Sequence, residues 1–197
     1  MTEKQIERIK KKIKGCKAQL SAEKRKFGAY HDGRGIRYII PELYLEIEDY
    51  KGCLRYFNWF QKEFGDDVGF PHFIFQWTFV LFQNKKCELA EKKLYETIFS
   101  NTYLIPVLLD LEIDRIEKSE TISTERIEFA KEIASEMSKI ITDDFNIWLK
   151  EITNKEIFSK RIRDYIGLQK LIESEPVGKD RTDLLNAKRK FIEDIIK

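Results

Sequence analysis

Ile6, Ile9, Ile13, Cys16 and Leu20 are spaced alternately by three and four residues, and Phe27 returns to the same stripe. That period predicts a helix over residues 1–27 with one apolar seam and a solvated, basic remainder. The seam is short for a coiled coil and contains Gly15, so it reads as a helix docked on its own domain. The stretch GAYHDGRG, Gly28 to Gly35, breaks the periodicity and is the clearest loop. Beyond it, helical patterns follow one another over 36–48, 50–64, 71–83, 86–100, 103–117, 124–141, 143–152, 155–174 and 180–196. No segment alternates like a strand between hairpin-turn signals.

Punctuation supports these helices. Gly65 to Pro71 and Glu173 to Asp180 are loops between helices, and Ser123 is placed as an N-cap, with Ile122 and Ile127 at hydrophobic-staple spacing. Pro41 and Pro106 suit a first helical turn; a helix starting earlier would be kinked there.

The densest aromatic cluster is DYKGCLRYFNWFQKEFGDD, Asp49 to Asp67. On a helix, Cys53, Phe57, Phe60 and Phe64 fall at i, i+4, i+7 and i+11, which assigns them to a core. Tyr56 and Trp59 lie on a neighbouring stripe and are expected to meet another helix of this chain, with a partner molecule as the alternative. In FIFQWTFVLF, Phe73 to Phe82, the stripe Ile74, Trp77, Thr78 and Leu81 is expected to pack on the following helix. Phe75, Phe79 and Phe82 lie on the other side.

The chain also repeats itself. YIIPELYLEIED at Tyr38 is echoed by YLIPVLLDLEID at Tyr103, and apolar or small positions in 37–65 recur in 74–102 at an offset of 37 residues. Cys53 and Ala90 take the small position, and Phe57 and Leu94 the large one. On these residues, LYLEIEDYKGCLRYFNWFQKEFGDD resembles a tetratricopeptide repeat, and WTFVLFQNKKCELAEKKLYETI is similar to a second. Pro41 and Thr78 stand where that family usually has glycine, and Phe60 where it has a small residue. The resemblance covers about residues 36–102 and implies a short right-handed solenoid of antiparallel hairpins. In such a solenoid the Phe75 and Phe79 side of the first helices tends to face a concave groove that receives a helix or peptide. The amphipathic C-terminal helices of 143–196 are an equally good occupant of that groove.

Composition agrees with an all-α chain. The 197 residues are 42% hydrophobic and 36% charged, with only four prolines and nine glycines, which argues against disorder. Cys16, Cys53 and Cys87 are odd in number and far apart, so neither a disulfide framework nor a zinc module is expected, and a reducing cytosol is the simplest setting. No window reaches the length of a membrane span.

Charge is uneven beneath the net +2: residues 1–27 carry +7, 28–151 carry −8 and 152–197 carry +3. A basic arm before an acidic body either lies against that body or meets an anionic partner.

Candidate chemistry is sparse. His31 beside Asp32, with Arg34 and Arg37 near, offers a general base and an anion clamp, but no nucleophile accompanies them. With His72 the only other histidine, a metal site is not expected. The reading is therefore a non-enzymatic, cytoplasmic interaction module without a cofactor. It comprises a basic helix (1–27), tetratricopeptide-like hairpins (36–141) and C-terminal helices capping the same domain (142–197). Its expected contacts with another protein, or with a second copy of itself, are Tyr38, Glu42, Phe75, Phe79, Gln83 and Tyr103. The alternative is a nucleic-acid-associated protein whose Lys10, Lys11, Lys12, Lys14 and Lys17 meet phosphates.

Overall fold

Thr2 starts the first helix, α1 (Glu3–Phe27), through a capping box with Gln5, and Gly28 ends it in the left-handed region at φ 74°. This chain is seen in a computed structural model that describes residues 1–116 and 123–196. The later helices are α2 (Ile36–Glu46), α3 (Tyr50–Glu63), α4 (Pro71–Gln83), α5 (Cys87–Ser100), α6 (Leu104–Leu108), α7 (Ile127–Met137), α8 (Asp143–Asn154), α9 (Glu156–Ser174) and α10 (Lys179–Ile196). Among the described residues the protein is all-helical, with no strand. No helix among them is long and apolar enough to cross a membrane. They form two compact units, 1–69 with 83–85, and 70–82 with 86–197.

In the first unit, α1 packs on α2 and α2 on α3. Of the 25 residues of α1, Ile9, Ile13 and Leu20 are buried and Ile6 and Cys16 half-buried, while Phe27, expected on the same stripe, is 53% exposed, so the seam ends before the last turn. Asp32 begins α2: its carboxylate accepts the backbone N–H of Ile36 at 2.7 Å and of Arg37 at 2.9 Å, satisfying donors that no helical carbonyl reaches. Pro41 then lies inside α2 rather than in its first turn. It has no N–H to give the carbonyl of Arg37 four residues back. The Tyr56 hydroxyl of α3 donates to that carbonyl instead, at 2.8 Å.

Arg37 is held from its other end as well. Its Nε donates to Asp67 at 2.8 Å and its Nη1 to Asp32 at 3.2 Å, while the Tyr38 hydroxyl donates to Asp67 at 2.6 Å. The guanidinium lies 4.6 Å from the centre of the Tyr38 ring and 5.1 Å from that of Phe64.

The α2–α3 turn closes through Glu48, at φ 55°, and an N–H of Asp49 donated to the Tyr44 carbonyl at 3.0 Å. Asp49 caps α3 at the N–H of Gly52. A Cβ at Gly52 would lie 2.6 Å from the Tyr44 ring and 2.2 Å from Asp49 Oδ2, so glycine is required by close approach.

In the second unit, α4 carries two aromatic sides. Thr78 meets Thr97 of α5 at 3.3 Å, and Lys93 of α5 sits 4.2 Å over the Trp77 ring. On the other side Phe145 of α8 stands 5.7, 5.0 and 5.3 Å from Phe75, Phe79 and Phe82, edge to face. Further along, Tyr95 stacks on Phe158 of α9 at 4.3 Å, and Phe99 meets Tyr165 at 4.5 Å. Phe191 of α10 reaches both Phe99 and Tyr165, although no residue of α10 is fully buried.

Two expected helices are shorter than their patterns. The helix expected over 103–117 ends at Leu108, because Asp110 turns left-handed at φ 53° and the N–H of Leu111 goes back to the Pro106 carbonyl at 2.8 Å. The following extended stretch is pinned at Ile116, whose N–H donates to the Tyr103 hydroxyl at 3.0 Å. The helix expected over 124–141 is α7 preceded by a 3₁₀ turn, Ser123–Glu125, and its N-cap is Arg126 in extended conformation, not Ser123. Ile122, of the expected staple, lies outside the described residues, as does residue 117. Asn101 ties this region together: its Oδ1 accepts the N–H of Tyr103 and Leu104, and its Nδ2 donates to the carbonyls of Thr124 and Arg126.

Replacing Tyr56 by Phe strands the Arg37 carbonyl in the interior and is expected to cost about 1–2 kcal/mol. In a Pro41→Ala background the restored amide can take that carbonyl, so the cost of Tyr56→Phe should shrink; denaturant titrations of the four members of the cycle measure this. Gly52→Ala should destabilise by about 1–3 kcal/mol in the same assay.

Candidate functional site

The residues expected to contact a partner divide by burial. Phe75 and Phe79 are fully buried under Phe145 in the second unit, and Tyr103 is buried with its hydroxyl engaged at Ile116. The C-terminal helix α8 therefore fills the side of α4 that the hairpin resemblance assigns to a groove. Tyr38, Glu42 and Gln83 belong to the first unit. Glu42 is exposed, Gln83 is half-buried, and Tyr38 is half-buried with its hydroxyl on Asp67. Burial, then the bond to Asp67, pushes the Tyr38 phenol up to about 12.

The basic residues of α1 divide too. Lys11, Lys12 and Lys14 are exposed, and Lys10 is exposed beside Glu7 at 3.2 Å. Lys17 turns inward. Its Nζ donates to the Tyr44 hydroxyl at 2.7 Å and lies 5.0 Å over the Tyr44 ring and 5.5 Å over the Tyr56 ring. The sequence carries a signal for this: Ile13, Lys17 and Leu20 stand at i, i+4 and i+7, which places Lys17 at the edge of the buried seam.

Beside Lys17 is a cleft of about 250 Å³ between α1 and α3, lined by Lys17, Ser21, Arg55, Tyr56 and Trp59. The indole of Trp59 packs on Tyr30, Tyr56 and Phe64 with centroids 5.8, 5.2 and 5.7 Å away, and stays half-exposed at the cleft wall. Tyr56 thus meets α2 and α1, while Trp59 meets Tyr30 of the loop between them and its own helix, and what Trp59 leaves uncovered opens onto two cations. Ser21, one turn beyond Lys17, is the member of this lining that the helix pattern alone does not single out.

The two histidines lie apart from any such cleft. The His31 ring packs edge-on against Phe27 at 4.9 Å, while both carboxylate oxygens of Asp32 serve the start of α2 and Arg37. His72 is stacked on Phe70 at 5.8 Å and meets Phe129 at 6.4 Å. Among the described residues no three Asp, Glu, His or Cys side chains converge as a metal site would require.

Burial pushes the His72 imidazole below its usual range, with Glu136 opposing this in part. Because its pKa is lower in the folded than in the unfolded chain, the unfolded chain takes up the proton first as pH falls. The stability due to neutral His72 is complete above the unfolded pKa of about 6.5 and is lost below it. Thermal melts between pH 7.5 and 5 should show that decline, and His72→Phe should flatten it.

No protein-family model, curated protein or solved structure matches the chain, so its function is read from this geometry.

Proposed function

We propose that this chain is a non-enzymatic interaction module of tetratricopeptide-like hairpins that binds another protein. The observation that carries the reading is the equivalence of two turns. Glu48 and Lys85, 37 residues apart, are both left-handed, at φ 55° and 60°. Behind them Asp49 donates its N–H to Tyr44, and Lys86 donates to Leu81, at 3.0 and 2.9 Å. Ahead of them Cys53 donates to Asp49 and Ala90 to Lys86, both at 2.9 Å. This is the offset at which the apolar positions recur, so pattern and backbone repeat with one period.

The partner surface assigned by this reading is the solvent side of α2. Ile39, 37% exposed although large and apolar, stands with exposed Glu42 and Glu46 at i, i+3 and i+7, and Tyr38 borders it. A row of that kind suits an amphipathic helix or peptide with basic flanks. Gln83 lies apart from it, in a cleft of about 400 Å³ formed with Glu48, Tyr50, Asn84 and Lys85.

The double substitution Ile39→Glu, Glu42→Lys leaves the buried side of α2 untouched and should retain the circular dichroism spectrum. Cross-linking in cell extract, followed by mass spectrometry, should show a protein captured by the unaltered chain and lost, by about tenfold or more, from the double variant. Equal capture by both chains sinks the α2 surface, and capture by neither sinks the module reading itself.

A further inference from the structure

Lys17 carries a charge that its surroundings do not balance. Its ammonium is half-buried and held by a hydroxyl and two aromatic rings, and among the described residues no carboxylate stands within ion-pair distance of it. The hydroxyl of Tyr44 takes one of its three donors. Ring faces attract a cation but leave it uncompensated, and removal from water without a counter-charge is costly. The remaining lining of the cleft adds a second cation and no acid: Arg55 is exposed and, among the described residues, without a carboxylate partner, Ser21 supplies a hydroxyl, and Trp59 supplies a flat wall. The cleft of about 250 Å³ thus sets two cations and a hydroxyl beside a flat aromatic wall.

We infer that the α1–α3 cleft is a nucleotide subsite, with phosphate between Lys17 and Arg55 and a base against Trp59, and that the nucleotide belongs to a single strand of nucleic acid. Cations beyond the cleft favour a strand over a lone nucleotide. On one side along α1 lie exposed Lys10, Lys11, Lys12 and Lys14, and on the other Lys24, Arg25 and Lys26. A strand places a phosphate at each nucleotide and would engage several of them, whereas a mononucleotide ends within the cleft. Aromatic faces interleaved with cations are the usual means of holding single strands without reading their sequence. Two of this row already have partners: Lys10 is beside Glu7, and Lys24 is shared with Glu63 and the Tyr30 ring. This site is separate from the α2 surface assigned to a protein partner.

The test uses the full chain and a fluorescein-labelled twelve-nucleotide single strand of mixed sequence, about 12 residues being within the reach of one such groove. Anisotropy at low salt should show binding that weakens steeply as salt rises. Arg55→Ala, on an exposed side chain, should weaken it about tenfold. Lys17→Met should do so too, and Lys17→Arg should restore most of the loss. Trp59→Phe should reduce affinity and abolish the quenching of tryptophan emission that the bound base causes. Lys11→Glu with Lys14→Glu should weaken the strand but leave adenosine monophosphate, measured by calorimetry, unaffected.

Absence of binding at low salt overturns the proposal, and so does equal binding by the unaltered chain and Arg55→Ala. Mononucleotide affinity equal to that of the strand overturns the strand and leaves a nucleotide site. Tighter binding of a phosphotyrosine peptide than of either overturns the nucleic-acid assignment. The α2 double variant, whose loss of protein capture tests the module reading, should bind the strand as the unaltered chain does.

Discussion

Pro41 has no amide hydrogen, and the first unit is organised around that lack. A proline six residues into an eleven-residue helix strands the carbonyl of Arg37. The nearest remedy is a hydroxyl from the next helix, and Tyr56 provides it at 2.8 Å with 1% of its surface exposed. To deliver that hydroxyl, α3 must lie along α2 in one register, and the contact of Gly52 with the Tyr44 ring fixes the same register at the other end. Arg37 is then fastened by its side chain to Asp32 before the hairpin and Asp67 after it. One residue's backbone and side chain thus join both ends of the helical pair. Burial and the neighbouring Asp32 raise the Tyr56 phenol well above its usual range, which keeps the hydroxyl protonated and donating at neutral pH.

The second unit solves a different problem with similar means. α4 is apolar on nearly all sides, with ten of its thirteen residues buried, and such a helix cannot end a stack. α5 covers one side through Thr78 and Trp77, and α8 the other, where a single ring, Phe145, serves three phenylalanines. A side that in an open solenoid would await a peptide is here occupied by the chain's own helix. This directs attention to α2, whose outer row is mixed in character and which keeps Ile39 in water.

How much of this was legible depended on whether the information was local. Helix phase assigned Phe57 and Phe60 inward and separated the two sides of α4 correctly, because a period of 3.6 residues needs no knowledge of neighbours. The expectation that Tyr56 would meet another helix of the chain also held, at the Arg37 carbonyl, whereas Trp59 meets the loop at Tyr30 and its own helix. What periodicity could not supply was identity of the covering element: nothing in Phe75 or Phe79 names Phe145, seventy residues away in the sequence. Backbone exceptions were equally hidden. Asp110 adopts a positive φ that its residue type merely tolerates, and that one torsion ends a helix whose apolar pattern continues to Ile113. Of the cleft, Lys17 was legible as a cation at the edge of the seam, but the rings that turn it inward, Tyr44 and Tyr56, arrive from two other helices.

That displacement of Lys17 separates two functions of charge on one helix. Lys11, Lys12 and Lys14 stand in water, where a cation is cheap, mobile and screened by salt. Lys17, one turn further and rotated toward the seam, is held in place by a hydroxyl and two aromatic rings, so an anion meeting it would lose less freedom on binding than at a flexible surface lysine. Under the nucleotide proposal, the exposed cations would gather a polyanion from solution and the fixed one would hold a single group of it beside Trp59. Aromatic packing and charge placement are here one design: Tyr44 and Tyr56, which build the hairpin core, also orient Lys17 of the basic helix.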